Sequence, residues 1–201
     1  MKKKTGILGG TFNPIHKGHI AIGKSAYTEY GLDRVLFMPT GVSYLKDQSE
    51  ILSPQIRAEM VSLAIEDEPG FELSTYEIEK GGNTYTCETL EYLTDMGTYG
   101  DLYFITGADT LFSIDSWYRP ELIMKLCHIL VAVRDEHSGK EYEERTSFLK
   151  ERFDAKISLL HCDKIDISSS LIRQGLKEGR DVSGMLPEKV YRYITDNSLY
   201  M

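Results

Sequence analysis

Short apolar runs alternate with amphipathic stretches along the whole chain. Thr5–Leu8, Arg34–Met38, Phe71–Ser74, Asp101–Thr106, His128–Val133 and Lys156–Leu160 are brief, apolar and bounded by Gly, Pro or polar residues, so each reads as a strand. Between them the period changes. Lys17–Tyr30 sets Ile22, Ala26 and Tyr30 along one helical face and meets Gly31, a natural stop. Pro54–Ile65 carries Ile56, Met60 and Leu63 on one side, and Thr86–Met96 repeats the pattern through Leu90 and Leu93. Pro120–Lys125 is a short helix and Glu141–Arg152 a charged, mostly exposed one; Ser169–Lys177 and Pro187–Thr195 read as closing helices.

Strand and helix in this alternation predict parallel β-α-β units. The expected fold is α/β: a Rossmann-like parallel sheet with helices on both faces and a helical C-terminal end from about residue 165. The 201 residues suffice for one well-buried domain, expected to span residues 1–201. In such sheets ligands bind beyond the carboxyl ends of the strands. Chemistry is therefore expected in the loops that follow strands, and the motifs below are placed there.

Composition narrows the function classes. The hydrophobic and charged fractions are those of an ordinary globular protein. A formal charge of −8 argues against a broad nucleic-acid or anionic-membrane surface, while leaving room for a small basic pocket. Ile7 and Leu8 run at once into Gly9 and Gly10, so the start does not read as a signal peptide, and no apolar stretch approaches the ~20 residues of a membrane span. Cys87, Cys127 and Cys162 are odd in number and widely spaced, which fits a reducing, cytoplasmic setting. Cys127-His128 and His161-Cys162 invite a metal reading, but neighbours on a strand point to opposite faces.

The most specific segment is Gly9-Gly10-Thr11-Phe12-Asn13-Pro14-Ile15-His16-Lys17-Gly18-His19, between the first strand and the first helix. Gly9 and Gly10 are expected to turn the backbone tightly and bring it near a ligand. A helix start favours phosphate, and His16 and His19, three apart, share one face there. Two imidazoles beside a triphosphate would donate to oxygens that gain charge as the α-phosphorus is attacked. A zinc site built on the two histidines lacks a third ligand at sensible spacing. The run also departs from the Walker loop and from the dinucleotide fingerprint.

This run resembles the signature of the His-x-Gly-His nucleotidyltransferase superfamily, and in particular that of the nicotinate mononucleotide adenylyltransferases. Relatives often carry Asp where this chain has Asn13. The resemblance implies transfer of AMP from ATP to nicotinate mononucleotide, giving deamido-NAD and pyrophosphate. It implies Mg²⁺ held mainly by the ATP phosphates, His16, His19 and Arg173 as the catalytic set, and ATP contacts from Gly9, Gly10, Thr11 and Phe12.

Three further motifs follow. Ile167-Ser168-Ser169-Ser170-Leu171-Ile172-Arg173 offers hydroxyls and N–H groups at a helix start, with an arginine in its first turn; alone it reads more readily as an N-cap run with a surface arginine. It is similar to the family's Ile-Ser-Ser/Thr-x-x-Arg motif, which places Ile167, Ser168, Ser169 and Arg173 on ATP. Gly107 and Asp109 follow a strand and suit ribose hydroxyls or a helix cap; the resemblance assigns them to the adenylate ribose. Trp117 offers a stacking surface for a pyridine ring. By resemblance, Trp117 and Tyr118, with Thr84-Tyr85-Thr86, bind the acceptor.

Two departures stand out. Where relatives read Pro-x-x-x-Pro-Pro-His-Lys, this chain has Pro39-Thr40-Gly41-Val42-Ser43-Tyr44-Leu45-Lys46, which keeps Lys46 as an acceptor-phosphate partner and replaces Pro-Pro-His by Ser43–Leu45. Where they have Arg-Pro-Gly, it has Arg134-Asp135-Glu136, keeping Arg134 as an ATP contact. The rival readings are the same chemistry on nicotinamide mononucleotide or phosphopantetheine, a cytidylyl transfer, and a nucleotide-binding sensor without turnover. A tRNA-charging enzyme fails on size and charge. The expected partners are ATP and nicotinate mononucleotide, without nucleic acid or membrane, and a homo-oligomer is compatible with the sequence.

Overall fold

A computed structural model describes residues 2–41, 51–133, 139–162 and 166–201. Six strands form one parallel sheet: β1 (Lys4–Gly10), β2 (Arg34–Pro39), β3 (Phe71–Leu73), β4 (Asp101–Gly107), β5 (Cys127–Val133) and β6 (Lys156–His161), in the order β3-β2-β1-β4-β5-β6. Nine α-helices lie among them: α1 (Lys17–Glu29), α2 (Pro54–Ile65), α3 (Tyr76–Lys80), α4 (Thr86–Asp95), α5 (Ala108–Ser113), α6 (Pro120–Leu126), α7 (Gly139–Phe153), α8 (Ser169–Lys177) and α9 (Glu188–Asp196), counted among the described residues. The Rossmann-like α/β expectation is met.

Both faces of the sheet are covered, which is why the strands read as nearly continuous apolar runs. Neighbouring strand residues feed opposite cores. Leu8, Val35, Phe37, Leu130 and Ala132 pack with α1, α2, α8 and α9, whereas Ile7, Leu36, Met38, Ile129 and Val131 pack with α4 to α7. Helix starts follow their caps. Ser53 accepts the Ile56 N–H at 3.3 Å ahead of Pro54, and Ser168 accepts the Leu171 N–H at 3.2 Å.

Several details differ from expectation. α3 and α5 were unforeseen, because five and six residues carry too little periodicity to read. The buried side of α2 is wider than the Ile56–Met60–Leu63 face: Met60 is buried and Ile56 and Leu63 pack against the core, but Arg57, Ala58, Val61, Ala64 and Ile65 are buried too, with an arginine at the helix start. Gly9 and Gly10 do not form a tight turn. Both are the last residues of β1, and the turn follows them, with Phe12 at φ 48 and a cis Asn13–Pro14 bond.

The chain runs from β1 outward through β2 and β3, then returns to the other side of β1 as β4. Crossovers to either side of β1 leave a crevice at its carboxyl end. Leu8 pairs with Ile105, so β1 and β4 run together towards Gly10 and Gly107 at that crevice.

Candidate active site

A cavity of about 390 Å³ opens at the carboxyl end of β1. Gly9, Gly10 and Thr11 form one wall; Thr84–Thr86 and the Trp117-Tyr118 pair form the other. Residues expected on ATP and residues expected on the acceptor therefore face a single space of ordinary ligand size. Nothing lies within 4 Å of where a Gly9 side chain would begin, so that main chain is open to whatever enters. Trp117 and Tyr118 follow α5 and a short 3-10 turn, and Thr84–Thr86 leads into the first residue of α4, so neither motif directly follows a strand as expected. Trp117 meets the Phe104 ring edge-on at 6.3 Å, and Tyr118, 54% exposed, packs its ring 4.7 Å from that of Tyr85. This wall thus holds three rings with faces left to offer.

The histidines do not line this cavity; they stand at the start of α1, at the far end of the loop that leaves it at Thr11. His16 is the N-cap, 4% exposed, and His19 lies one turn on, with the two rings stacked at 3.7 Å. The His16 backbone N–H donates to His19 Nδ1 at 3.2 Å. A nitrogen accepting from an N–H carries no proton, so Nε2 is the N–H of the neutral His19 ring. Phe12 is buried, and its ring meets His19 edge-on at 5.0 Å. It supports the imidazole from the core side, and only its main chain is placed to meet a ligand.

α8 reaches the same loop. Arg173 Nη1 donates to the Asn13 carbonyl at 2.9 Å, and Ser169 Oγ donates to the Pro14 carbonyl at 2.9 Å. Ser168 caps the helix through its side chain, while Ile167 packs its own side chain into the core. The distal motif is thereby brought against the first loop, with Arg173 beside the histidine-bearing turn. Gly107 and Asp109 are exposed at the end of β4 and in the first turn of α5. Lys46 and Arg134, with Ser43–Leu45, lie outside the described residues.

Two residues that shape the candidate site escaped the sequence reading. Arg57 is 1% exposed and donates to four main-chain carbonyls: Thr11 at 2.7 Å, Thr40 at 2.7 Å, Gly41 at 2.8 Å and Leu52 at 3.0 Å. It binds the first loop to the end of β2 and the approach to α2. Its signal was an arginine in register with Met60, Val61 and Ala64. Glu77, on α3, accepts from Thr84 Oγ1 at 3.2 Å and Thr89 Oγ1 at 2.8 Å and lines the cavity. Burial pushes its carboxyl above the usual range, against the two threonine hydrogen bonds and nearby Lys80. Gly41 lets the β2 loop pass close to α3, since a side chain there would begin 2.6 Å from the Glu77 carbonyl oxygen.

Among the described residues, no group of three His, Cys, Asp or Glu is placed to hold a metal ion. Cys127 is buried, donates to the Ile123 carbonyl at 3.2 Å, and has its thiol pushed up to about 12 by burial. No helix among the described residues is long and apolar enough to cross a membrane.

Comparison with known proteins agrees with this geometry. The cytidylyltransferase-like family matches residues 7–175. A protein of Lachnoclostridium phytofermentans named "Probable nicotinate-nucleotide adenylyltransferase" is 39% identical over 199 residues, covering 99% of this chain and 100% of its own. One of the same name from Clostridium acetobutylicum is 37% identical over 201 residues, covering 100% of both. Among solved structures, Plasmodium falciparum nicotinic acid mononucleotide adenylyltransferase complexed with NaAD superposes with a TM-score of 0.79 at 20% identity, over 98% of this chain and 97% of that one, which bears on the fold. The same enzyme complexed with APC gives 0.77 at 19% identity, over the same shares of both chains. Fold, crevice and relatives converge: this chain belongs to the cytidylyltransferase-like family, among the nicotinate-nucleotide adenylyltransferases.

Proposed function

We propose that this chain transfers the adenylyl group of Mg·ATP to the phosphate of nicotinate mononucleotide, giving deamido-NAD and pyrophosphate. One observation carries the reading. A single cavity joins the β1 glycines to the Trp117–Tyr118 wall, and the His16–His19 pair and Arg173 meet on the loop that leaves it. The P. falciparum enzyme of the same fold is complexed with NaAD, a molecule that joins the two halves such a cavity would hold.

In this mechanism the acceptor phosphate oxygen attacks the α-phosphorus in line, the bond from that phosphorus to the bridging oxygen of the β-phosphate breaks, and pyrophosphate leaves. No enzyme nucleophile is needed. Gly9, Gly10, Thr11 and the Phe12 main chain line the phosphates, and His19 Nε2–H and His16 donate to oxygens gaining charge. Arg173, with Ile167, Ser168 and Ser169 beside it, holds the leaving pyrophosphate; Gly107 and Asp109 take the ribose. Trp117, Tyr118 and the Thr84–Thr86 segment receive the pyridine ring. Lys46 contacts the acceptor phosphate and Arg134 the ATP. Mg²⁺ enters as part of the substrate, carried mainly by phosphate oxygens. Residues 1–201 act as one nucleotidyltransferase unit.

A second acceptor, nicotinamide mononucleotide, is favoured by Glu77. A carboxylate in the cavity wall repels a ring carboxylate and accepts from a carboxamide, and the threonine protons committed to it leave acceptor lone pairs behind. Pyrophosphate release from Mg·ATP with each acceptor decides. A preference for the acid of at least about tenfold is expected. A reversed preference would install the amide, and tight ATP binding without turnover on either would make the chain a sensor.

A further inference from the structure

The segment after α9 turns back onto the molecule. The Leu199 N–H returns to the Ile194 carbonyl at 2.9 Å, and Ser198 and Tyr200 take φ of 49 and 65, a region that side-chain-bearing residues seldom occupy. Leu199 and Tyr200 pack against the core on the α1 side of the sheet. This turn delivers the Tyr200 hydroxyl to Asn13 Oδ1 at 2.6 Å, across 187 positions of sequence.

Asn13 is the centre of the turn that leads from β1 to the histidines. Its Oδ1 also accepts the Leu52 N–H at 3.2 Å, and its carbonyl accepts Arg173 Nη1 at 2.9 Å. A backbone N–H can only donate, which fixes the orientation of the carboxamide and makes the phenol a donor as well. Burial raises the phenol above its ordinary value, against the opposing pull of Arg173 and Arg57, so the proton it donates is retained. The tail, the approach to α2 and α8 therefore converge on one residue, three positions before His16.

We propose that Tyr200 is a positioning residue for adenylyl transfer, acting through Asn13 to hold the turn on which His16, His19 and Arg173 share a frame. The inference rests on the adenylyl-transfer reading. Tyr200 lies outside the cavity lining, and its hydroxyl is bonded to Asn13; it sets where the loop that carries the histidines stands.

Tyr200→Phe keeps the ring and removes only the hydroxyl. It is expected to lower kcat roughly threefold to tenfold, with KM for both substrates and the unfolding temperature nearly unchanged. A part in packing alone would lower the unfolding temperature and spare kcat. Asn13→Ala is expected to lower kcat further, and adding Tyr200→Phe to it should cost less than about a further twofold. Wild-type kcat in Tyr200→Phe, or losses that multiply in the double variant, overturns the proposal. If the unaltered protein turns over neither acceptor, the adenylyl-transfer reading falls by itself. Amide hydrogen exchange then decides on Tyr200: faster exchange over residues 11–19 in Tyr200→Phe supports it, and unchanged exchange overturns it.

Discussion

The two walls of the crevice are made of different material. The side proposed for the phosphates is main chain: glycine backbone from β1, a turn braced by Arg57, Arg173 and Tyr200, and histidines set by backbone contacts. The side proposed for the acceptor is side chain: Trp117, Tyr85 and Tyr118 present rings, and Glu77 orders the threonines among them. A wall of main chain recognises what every nucleoside triphosphate shares. A wall of side chains is free to set which acceptor is taken. Catalysis and acceptor choice should accordingly separate under mutation.

The sharpest break is expected at Arg57. Arg57→Leu leaves four carbonyls without their buried donor, which should cost about 3–5 kcal/mol and lower the unfolding temperature by roughly 10 °C in thermal denaturation. A shift of only a degree or two would mean that the loops hold without it. Next comes His19→Ala, which should reduce kcat by at least about tenfold while the fold persists, because it removes a donor to developing charge. Steady-state turnover near wild type would move the chemistry away from the histidines. Trp117→Ala should then raise the acceptor KM by roughly tenfold and leave that of ATP close to unchanged. Equal effects on both substrates would erase the division between the walls.

The smallest effect belongs to Glu77. Its folded-state pKa is raised, so its contribution to stability is fullest at low pH and falls as pH rises through the folded value. Glu77→Gln should therefore gain on wild type in unfolding experiments as pH rises above the ordinary carboxylate range, and it should move acceptor selectivity a few-fold towards the acid. A difference that stays constant with pH would place the carboxylate in a wetter setting than its burial implies.

Much of this was legible beforehand, for identifiable reasons. Strands buried on both faces are apolar throughout, so β2, β4, β5 and β6 read to within one residue, while β1 runs two residues past its expected end. Ser168 and Pro54 carry capping chemistry in their side chains, and α8 and α2 begin where that chemistry says. The first loop was legible as a site, but its geometry was not: Gly9-Gly10 looked like a turn and is strand, because the bend was taken over by Phe12 and Asn13–Pro14. Arg57 and Tyr200 were illegible for a different reason. Their partners are backbone carbonyls and an amide side chain distant in sequence, and no local pattern records such a bond. Glu77 went unseen with the five-residue helix that carries it.

The sheet order has a consequence in time. β1 pairs with β2 about thirty positions away but with β4 about a hundred away, as in Ile7 beside Phe104. Contacts that distant close slowly, since the intervening chain must lose its freedom before they form. A growing chain can lay β1 against β2 early, yet the crevice has only one bank until β4 arrives. The bond from Tyr200 to Asn13 comes later still. The residues emerging first, His16 and His19, are among the last to reach their working positions.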